Sequence, residues 1–550
     1  MSDPTPDSTA DPTAEPQAPP TPSFERLRRL AKKLTRGCRA GDAASLARLR
    51  ASLPRMAAMD DATVRSHVRL ADVQHALARE AGVENWAALK ALVQSQEPLI
   101  AQIQRFVGAL HEGDGATMRR VLESHPEVAR TSLHAACVSC DVDAVERWLA
   151  KDPGLAGAPF QGGGWTPIEC VAASPLVAID DARRAASVVI AERLLALGAD
   201  PLAFTPAHDG TSKLTALYRA SERGNAGVVK LLLERGANPN DGESVYHAAE
   251  HNHRDVLDLL LTHGAEISAA AQPWNNTVLY FLCGYREGQP AARTATLGME
   301  WLLEHGADPN VPSYDHRSTP LHAIAEQGRS AEVARMFLSH GADPRRARAD
   351  GRTPYELAMR AGNVAVAEVL REAGGGVEVL RPVDAVIAAC AAGDLAGARR
   401  ALDADPGLRD TLLREEPDLL VHAAGMGNAV AIPVFVSLGY DVGREAREEG
   451  TPLHWAAWHG RVDVVHALLA AGAPLEPRDR TYGSSPIAWA AHGSVHCRAA
   501  DEDYIAVIDQ LLDAGATRDP SFNRWNEPPE SHASDAVADH LRARGFAPEE

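Results

Sequence analysis

The chain has 550 residues, which is long for one hydrophobic core and predicts several domains or one repetitive array. Apolar residues make up 45% of it and aromatic residues only 5%, a composition that favours small, closely packed helices over strands. A formal net charge of −19 argues against nucleic acid as the main partner, and no segment approaches the roughly 20 apolar residues that cross a bilayer.

The N-terminal part divides into two segments. Residues 1–23 are acidic and rich in Pro and Thr, and they lack the positive start and apolar centre of a signal peptide, so a disordered leader is predicted. A cytoplasmic location with unpaired cysteines follows as an expectation. Residues 24–97 are predicted to form a separate helical module. Its basic run, Arg26 to Lys33, is interpreted as a solvated helix face rather than a site for an acidic partner.

A repeat dominates the rest of the chain. Its clearest copy is GTPLHWAAWHGRVDVVHALLAAGAPLE, in which Thr451 and Gly472 are 21 residues apart. The same interval separates Thr215 from Gly236, Glu243 from Gly264 and Thr353 from Gly374. Unit starts at 319, 353, 384, 418, 451 and 485 give steps of 34, 31, 34, 33 and 34 residues. Ten units begin between Thr166 and Ser485, and less regular helix pairs precede them near Gln104 and Thr131.

Each part of the unit has a physical interpretation. Thr caps a helix start, and the following Pro occupies a position where a helix needs no N–H donor. The L-x-x-A-A segment predicts a short first helix, and V-x-x-L-L predicts a second helix with one apolar stripe. Gly then ends that helix in a left-handed conformation, at Gly236, Gly264, Gly306, Gly341 and Gly472. One such pair cannot bury its own stripe, so neighbouring units must stack.

The T-P-L-H-x-A-A and L-L-x-x-G-A segments resemble those of the ankyrin-repeat family over roughly Ile100 to Arg544. The resemblance implies an all-α solenoid of antiparallel helix pairs with hairpin-like turns and a concave groove that binds proteins. Two further segments, LADVQHALAREAGVENWAALKALV and YGSSPIAWAAHGSVHC, are similar to stretches of bacterial multi-ankyrin-repeat proteins and favour a bacterial source.

The repeat pattern is interrupted once and modified in three units. The Gly-rich segment AGGGVEVLRP, Ala373 to Pro382, lacks helical periodicity. Units near Gln104, Thr131 and Asp384 end in HPEV, DPGL and DPGL instead of Gly-Ala. Two repeat blocks are therefore predicted, 98–376 and 377–545, the second with a C-terminal capping helix. A continuous solenoid with one loose joint is the alternative.

The candidate chemical motifs fit the repeat better than they fit catalysis. Cys137 and Cys140 form C-x-x-C, but Cys137 takes the place of the second Ala of H-x-A-A, as do Cys38, Cys283 and Cys390, so packing is predicted. His134, His322 and His454 occupy the T-P-L-H position, where the resemblance implies a structural hydrogen bond.

Other polar groups are interpreted in the same way. His251 and His253 could touch a metal ion, but the sequence places no third ligand, and a solvated turn is favoured. Gly162, Gly163 and Gly164 lack the Lys and Ser/Thr of a phosphate loop and predict a turn. No catalytic residue, metal or cofactor is predicted.

The resemblance also implies which residues line the groove, because the two positions after A-A face it. Trp458 is the strongest candidate anchor, since Trp is frequent at interfaces; the alternative is that it packs on Trp455 or Trp489. The predicted partner-binding residues are Trp458, His459, His492, Met426, Arg360, Glu326, Gln327, Glu250, His251, Glu222 and Arg223.

Three units are longer than the others, with the excess around Pro175–Ala185, Tyr285–Ala292 and Ser494–Asp503. Such insertions can decorate a binding face or be tolerated loop drift.

The sequence thus predicts a non-catalytic scaffold, monomeric and without membrane contact, that binds a protein with basic patches. One alternative is an enzyme or small-ligand-binding protein with its site at the junction of the blocks, near Gly374–Pro382. A weaker one is an effector that acts inside a host cell.

Overall fold

Short helices, most of them in consecutive pairs, make up most of the described residues in a computed structural model, which confirms the predicted all-α fold. The structure describes residues 24–57, 59–95, 99–111, 113–160, 164–206, 213–270, 275–285, 290–314, 316–446, 450–497, 501–517, 523–524 and 528–546. The predicted leader and two glycines of the predicted turn, Gly162 and Gly163, lie outside these residues. Within them, no helix has both the length and the apolar character needed to span a bilayer.

The chain divides into two units, Met1–Ala203 and Phe204–Glu550. In the first unit, the helices between Phe24 and Ser95 surround a core that includes Cys38, Leu46 and Leu77. The sequence-based boundaries after residues 97 and 376 stay predictions. The helices of this unit are α1 Phe24–Ala40, α2 Ala43–Ser52, α3 Pro54–Ala57, α4 Asp61–His67, α5 Leu70–Glu80, α6 Trp86–Ser95, α7 Leu99–His111, α8 Gly115–Ser124, α9 Leu133–Val138, α10 Val142–Lys151, α11 Pro167–Ala172 and α12 Asp181–Ala196.

The second unit opens with a small antiparallel hairpin, β1 Phe204–Pro206 and β2 Lys213–Thr215, in which Thr205 lies opposite Leu214. Its helices are α13 Ala216–Glu222, α14 Ala226–Glu234, α15 Ser244–Glu250, α16 Arg254–Thr262, α17 Val278–Leu282, α18 Pro290–Glu304, α19 Pro320–Glu326, α20 Ala331–Ser339, α21 Pro354–Ala361, α22 Val364–Glu372, α23 Pro382–Ala391, α24 Leu395–Ala404, α25 Leu408–Glu415, α26 Leu419–Met426, α27 Ala431–Ser437, α28 Pro452–Trp458, α29 Val462–Ala470, α30 Pro486–His496, α31 Asp501–Asp513 and α32 Asp535–Ala543.

The first helices of successive repeats, here called inner helices, stack side by side. In the second unit α19 packs on α21, α21 on α23, α26 on α28 and α28 on α30. The Gly-rich segment 373–381 lies between α22 and α23, yet α21 still packs directly on α23. Stacking of the inner helices therefore continues across this segment.

The T-P-L-H histidines connect one repeat to the next by hydrogen bonds, which confirms their predicted structural role. His454 is fully buried, and its Nδ1 accepts a hydrogen bond from the Thr451 N–H at 3.1 Å. Its Nε2 lies 3.0 Å from the carbonyl oxygen of Ser484, the residue before the next unit. His322 makes the corresponding bonds to Thr319 and to the carbonyl oxygen of Arg352. Burial lowers the pKa of both imidazoles, to about 4 for His322.

The predicted helix stop is confirmed where α29 ends. Gly472 has φ of 82°, in the left-handed region, and a Cβ there would meet no atom within 4 Å. Glycine is therefore needed for its backbone conformation and not for space. The N–H of Ala473 then donates to the carbonyl oxygen of Leu468 at 3.0 Å, which satisfies an orphan carbonyl of the last turn.

Departures from the repeat motif change local structure. The HPEV and first DPGL segments form 3₁₀ turns, Pro126–Arg130 and Pro153–Gly157. The second DPGL segment instead starts an extra helix, α25. The three insertions are partly helical: α12, α18 and α31 have 16, 15 and 13 residues, whereas α14 has 9. Much of the predicted loop excess thus lengthens second helices.

Candidate functional site: a charged cleft and two polar clusters

A cleft of about 680 Å³ opens on the inner-helix face of the second unit. On one side it is bounded by α19, α21 and the turn between α20 and α21, and on the other by α26 and α28. It combines residues from both sides of the predicted 376/377 boundary, and we call it the junction cleft. Its lining includes Glu326, Gln327, Arg348, Asp350, Arg352, Arg360, Glu416, Asp418, Leu419, Met426 and Trp455.

A buried ion network forms one wall of the junction cleft. Asp384, in the first turn of α23, is fully buried, and its carboxylate accepts hydrogen bonds from Arg352 Nε at 3.0 and 3.2 Å and from Arg360 Nη1. Arg360 also donates to Glu416 Oε1 at 2.8 Å. The side chains of Arg352 and Arg360 are only 16% and 13% exposed, so these charge-assisted bonds are partly shielded from water.

The rim of the cleft adds a second set of charges. Arg348 Nη1 donates to Glu326 Oε1 at 3.1 Å, and its Nη2 donates to Asp350 Oδ2 at 2.9 Å. These bonds outweigh the opposing effect of burial and raise the pKa of Arg348. Arg444 Nε holds the Asp418 carboxylate at 3.0 Å. The rim therefore presents carboxylates that are already oriented by arginines.

The extra helix α25 leads into one side of the cleft. It stands where the HPEV and first DPGL segments form 3₁₀ turns, and Glu416, which lines the cleft, follows its last residue. Across the opening, Met426 at the end of α26 reaches toward the turn after α19: a Cβ built on Gly328 would lie 3.1 Å from Met426 Cε. Four residues predicted to face the groove, Glu326, Gln327, Arg360 and Met426, thus line one cleft.

A second group of predicted residues lies near the C-terminal end of the row of inner helices. Trp458 is half-buried; its ring meets that of Trp489 edge-on at 5.8 Å and that of His492 at 5.3 Å. The ring of His496 lies parallel to it at 6.2 Å. The sequence-based alternative, packing of Trp458 on Trp489, is therefore realised, while an exposed part of the ring remains. His459 is half-buried beside Trp455.

The third group surrounds the C-terminal end of α15. Glu250 Oε2 is 2.8 Å from His247 Nδ1 and 3.7 Å from His251 Nε2. Burial opposes a charge on His247, but the Glu243 and Glu250 carboxylates, which accept from its ring nitrogens, outweigh this effect and raise its pKa to about 9. Glu222 and Arg223 belong to the same electrostatic environment, because both influence the pKa of His251, which burial lowers.

The cysteine motif is a packing feature, as predicted. Cys137 and Cys140 are 0% and 5% exposed, and burial raises the pKa of both thiols, to about 11 for Cys140. Cys140 Sγ contacts Ser174 Oγ at 3.7 Å. Neither thiol has the exposed, electropositive setting of a reactive cysteine. His253 is also structural, since its Nε2 lies 3.1 Å from the carbonyl oxygen of Glu222.

Sequence reasoning missed the buried network and the partners of His251. The repeat pattern marks Asp384 only as a unit start and assigns no role to Arg348 or Arg352. His247 was overlooked, although His247-Ala-Ala-Glu250-His251 places two imidazoles four residues apart with a carboxylate between them. That H-x-x-E-H spacing, on one helix face, was the available signal.

Three copies of a family model described as ankyrin repeats match residues 182–271, 291–381 and 386–480, together half of the chain. Similar curated proteins include a putative palmitoyltransferase ZDHHC13 of Danio rerio (29% identity over 103 residues, 19% of this chain), a 2-5A-dependent ribonuclease of Mus musculus (42% over 60 residues, 11%) and an ARF GTPase-activating protein Git of Drosophila melanogaster (37% over 90 residues, 16%). The matched segments span 14%, 8% and 12% of those proteins, so the chain covers about a seventh or less of their length.

Two solved structures are also similar. The human ASB11 ankyrin repeat domain is 24% identical with a TM-score of 0.36, and the match covers 45% of this chain and all of that one. The ankyrin repeat domain of Bcl-3 is 22% identical with a TM-score of 0.34, covering 44% and 98%.

Proposed function

The chain belongs to the ankyrin-repeat family, and we propose that it is a non-catalytic scaffold that binds a segment of a partner protein in the junction cleft. The observation that carries this proposal is the convergence of Glu326, Gln327, Arg360 and Met426 on one cleft. These residues come from three repeats, and the family resemblance assigned each of them independently to the groove face.

The chemistry of the cleft favours a peptide with an apolar anchor and basic side chains. Met426 and Trp455 supply an apolar patch, since both line the cleft and are only half-buried. Around them, Glu326, Glu416 and Asp418 are fixed by arginines, so a basic group meets preorganised acceptors. The overall charge of −19 would also steer a basic partner toward the chain.

A small-molecule site at the same place is less well supported. The volume suits a small ligand, but such pockets are lined mostly by apolar groups with few polar ones. Here most of the polar lining consists of charged side chains that already pair with each other. A partner segment can form several new ion pairs along its length in place of the Arg–carboxylate pairs of the rim. A small ligand would have to break these pairs and could replace few of them.

Site-specific crosslinking tests the proposal. A photo-reactive amino acid at Gln327 should capture one protein from a lysate of the source organism, and the same group at Met336, on the outer helix α20, should not. The affinity of the purified captured protein is then measured for the Met426→Ala and Met336→Ala variants. Both remove the same half-buried side chain, but only Met426 lines the cleft.

We expect Met426→Ala to weaken binding about tenfold or more, as for an interface anchor, and Met336→Ala to leave it unchanged. Equal affinity of both variants, or crosslinking only at Met336, would refute cleft binding. If the Trp458→Ala, His459→Ala variant binds more weakly while Met426→Ala binds with the affinity of the wild type, the interface lies at the Trp458 group instead.

A further inference from the structure

Three potential metal ligands meet at the C-terminal end of α15, away from the junction cleft. One nitrogen each of His247 and His251 and one oxygen of Glu250 lie within 4.8 Å of one another. Glu250 Oε2 is the common neighbour, 2.8 Å from His247 Nδ1 and 3.7 Å from His251 Nε2. Ligands of a tetrahedral ion, each about 2.0–2.2 Å from it, are roughly 3.3–3.6 Å apart. Both distances from Glu250 are within about 1 Å of this range, and the two imidazole nitrogens are at most 4.8 Å apart. Shifts of about 1.5 Å or less would therefore bring the three ligands to a tetrahedral ion.

The backbone places these ligands on one side of the helix. His247 and His251 are four residues apart, at neighbouring positions on the same helix face, and Glu250 is three residues from His247. His251 follows the last helical residue with φ of −92° and ψ of 0°, so it continues the helical path. No loop has to close to assemble the three ligands.

Outer groups orient the ligands as they do in known metal centres. Glu243 Oε2 lies 3.6 Å from His247 Nε2, the ring nitrogen opposite the one that faces Glu250. The hydroxyl of Tyr285 donates to Glu250 Oε1, and the Tyr246 hydroxyl lies 3.2 Å from that of Tyr285. Carboxylate–histidine pairs and bonds to a ligating carboxylate fix ring orientation and strengthen metal binding.

The electrostatics of the cluster call for a cation. The carboxylates of Glu243 and Glu250 lie beside the two ring nitrogens of His247, at 3.6 Å from Nε2 and 2.8 Å from Nδ1. Their negative charges would balance a divalent ion held between His247, Glu250 and His251. His251 is exposed, which gives an ion access from solvent.

We propose that His247, Glu250 and His251 bind one divalent transition-metal ion of the zinc class. Two imidazoles and one carboxylate are a ligand set that zinc accepts, with a fourth position open to water or to a side chain of a bound protein. The site is independent of the proposed function, because it shares no residue with the junction cleft.

Metal titration of the full chain, first stripped of metal, tests this assignment. Zinc binding is measured by calorimetry, and cobalt(II) absorption reports the coordination geometry. The control is the pair His492 and His496, which are also four residues apart but are both exposed, with ring centroids 4.3 Å apart. The variants are His251→Ala, Glu250→Gln and Tyr285→Phe, against His492→Ala, His496→Ala. Circular dichroism checks that each variant is folded.

We expect one zinc ion per chain, a cobalt spectrum of tetrahedral type, and at least 100-fold weaker binding in His251→Ala. Tyr285→Phe should weaken binding about tenfold, as for an outer-shell group. No stoichiometric zinc, unchanged binding by both His251→Ala and Glu250→Gln, or loss only in the His492→Ala, His496→Ala variant would overturn the assignment.

Discussion

Substitution of the buried carboxylate beside the junction cleft, Asp384→Asn, tests the ion network most directly. The variant keeps the size of the side chain and removes its charge. In the wild type this carboxylate is 0% exposed and accepts bonds from two guanidinium groups, those of Arg352 and Arg360. Asn can accept at one oxygen only, and its amide N–H₂ would then face a guanidinium donor.

The expected loss in the free energy of unfolding depends on the carboxylates that Arg352 and Arg360 still contact in the variant. Breaking a buried charge pair costs about 3–5 kcal/mol because the remaining charge is left without compensation. Arg360 keeps Glu416 at 2.8 Å and Arg352 keeps Asp350 at 2.8 Å, which limits the damage. We therefore expect a loss of about 3 kcal/mol, at the lower end of that range. The matched control, Asp350→Asn, removes a carboxylate that is 35% exposed and should cost about 1 kcal/mol or less.

Urea unfolding followed by circular dichroism gives the change in overall stability. Because repeat arrays can unfold in segments, hydrogen exchange is needed to locate the effect. In Asp384→Asn, amides of α21 and α23 should exchange faster, while those of α1 to α6 should be unchanged. The reasoning is wrong if the opening free energy of α23 falls by less than about 0.5 kcal/mol, or if Asp350→Asn costs as much as Asp384→Asn.

Three further perturbations test other parts of the structure. His247 has a raised pKa of about 9, so its stabilising effect is complete below about pH 6.5 and is lost as the pH rises through 9. Urea unfolding at pH 6 and 9.5 should show this loss, at most about 3 kcal/mol, and His247→Gln should remove that component of the pH dependence. Gly298→Ala should lower the melting temperature, since its Cβ would lie 1.8 Å from the Ala249 carbonyl oxygen, at a cost of about 1–3 kcal/mol or more. Gly108→Ala should raise the melting temperature, because a Cβ at this position would meet no atom within 4 Å. A higher melting temperature for Gly298→Ala than for Gly108→Ala would contradict the packing argument. A thiol reagent on the native chain should label Cys497, the half-exposed cysteine, and spare the six buried ones; rapid reaction of two or more thiols would contradict the packing interpretation of C-x-x-C.

Much of the fold was predictable from the sequence because its determinants are local. A Thr–Pro cap, a His that bonds back to the cap and a Gly that ends the second helix each act within a few residues. Repetition of these local signals fixed the helix pairs, their antiparallel arrangement and the groove-facing positions. The bacterial source and the domain boundaries at 97 and 376 remain predictions.

The chemistry of the sites was decided by tertiary structure. Asp384 meets Arg360 across 24 residues and Arg352 across 32, and Arg360 meets Glu416 across 56. The repeat pattern assigns such residues to turns and surfaces, since it contains only short-range information. Whether they meet depends on how neighbouring units stack and on the extra helix α25. The same holds for Tyr285, which reaches Glu250 from a different repeat: local sequence set the helices, and packing between repeats brought the polar groups together.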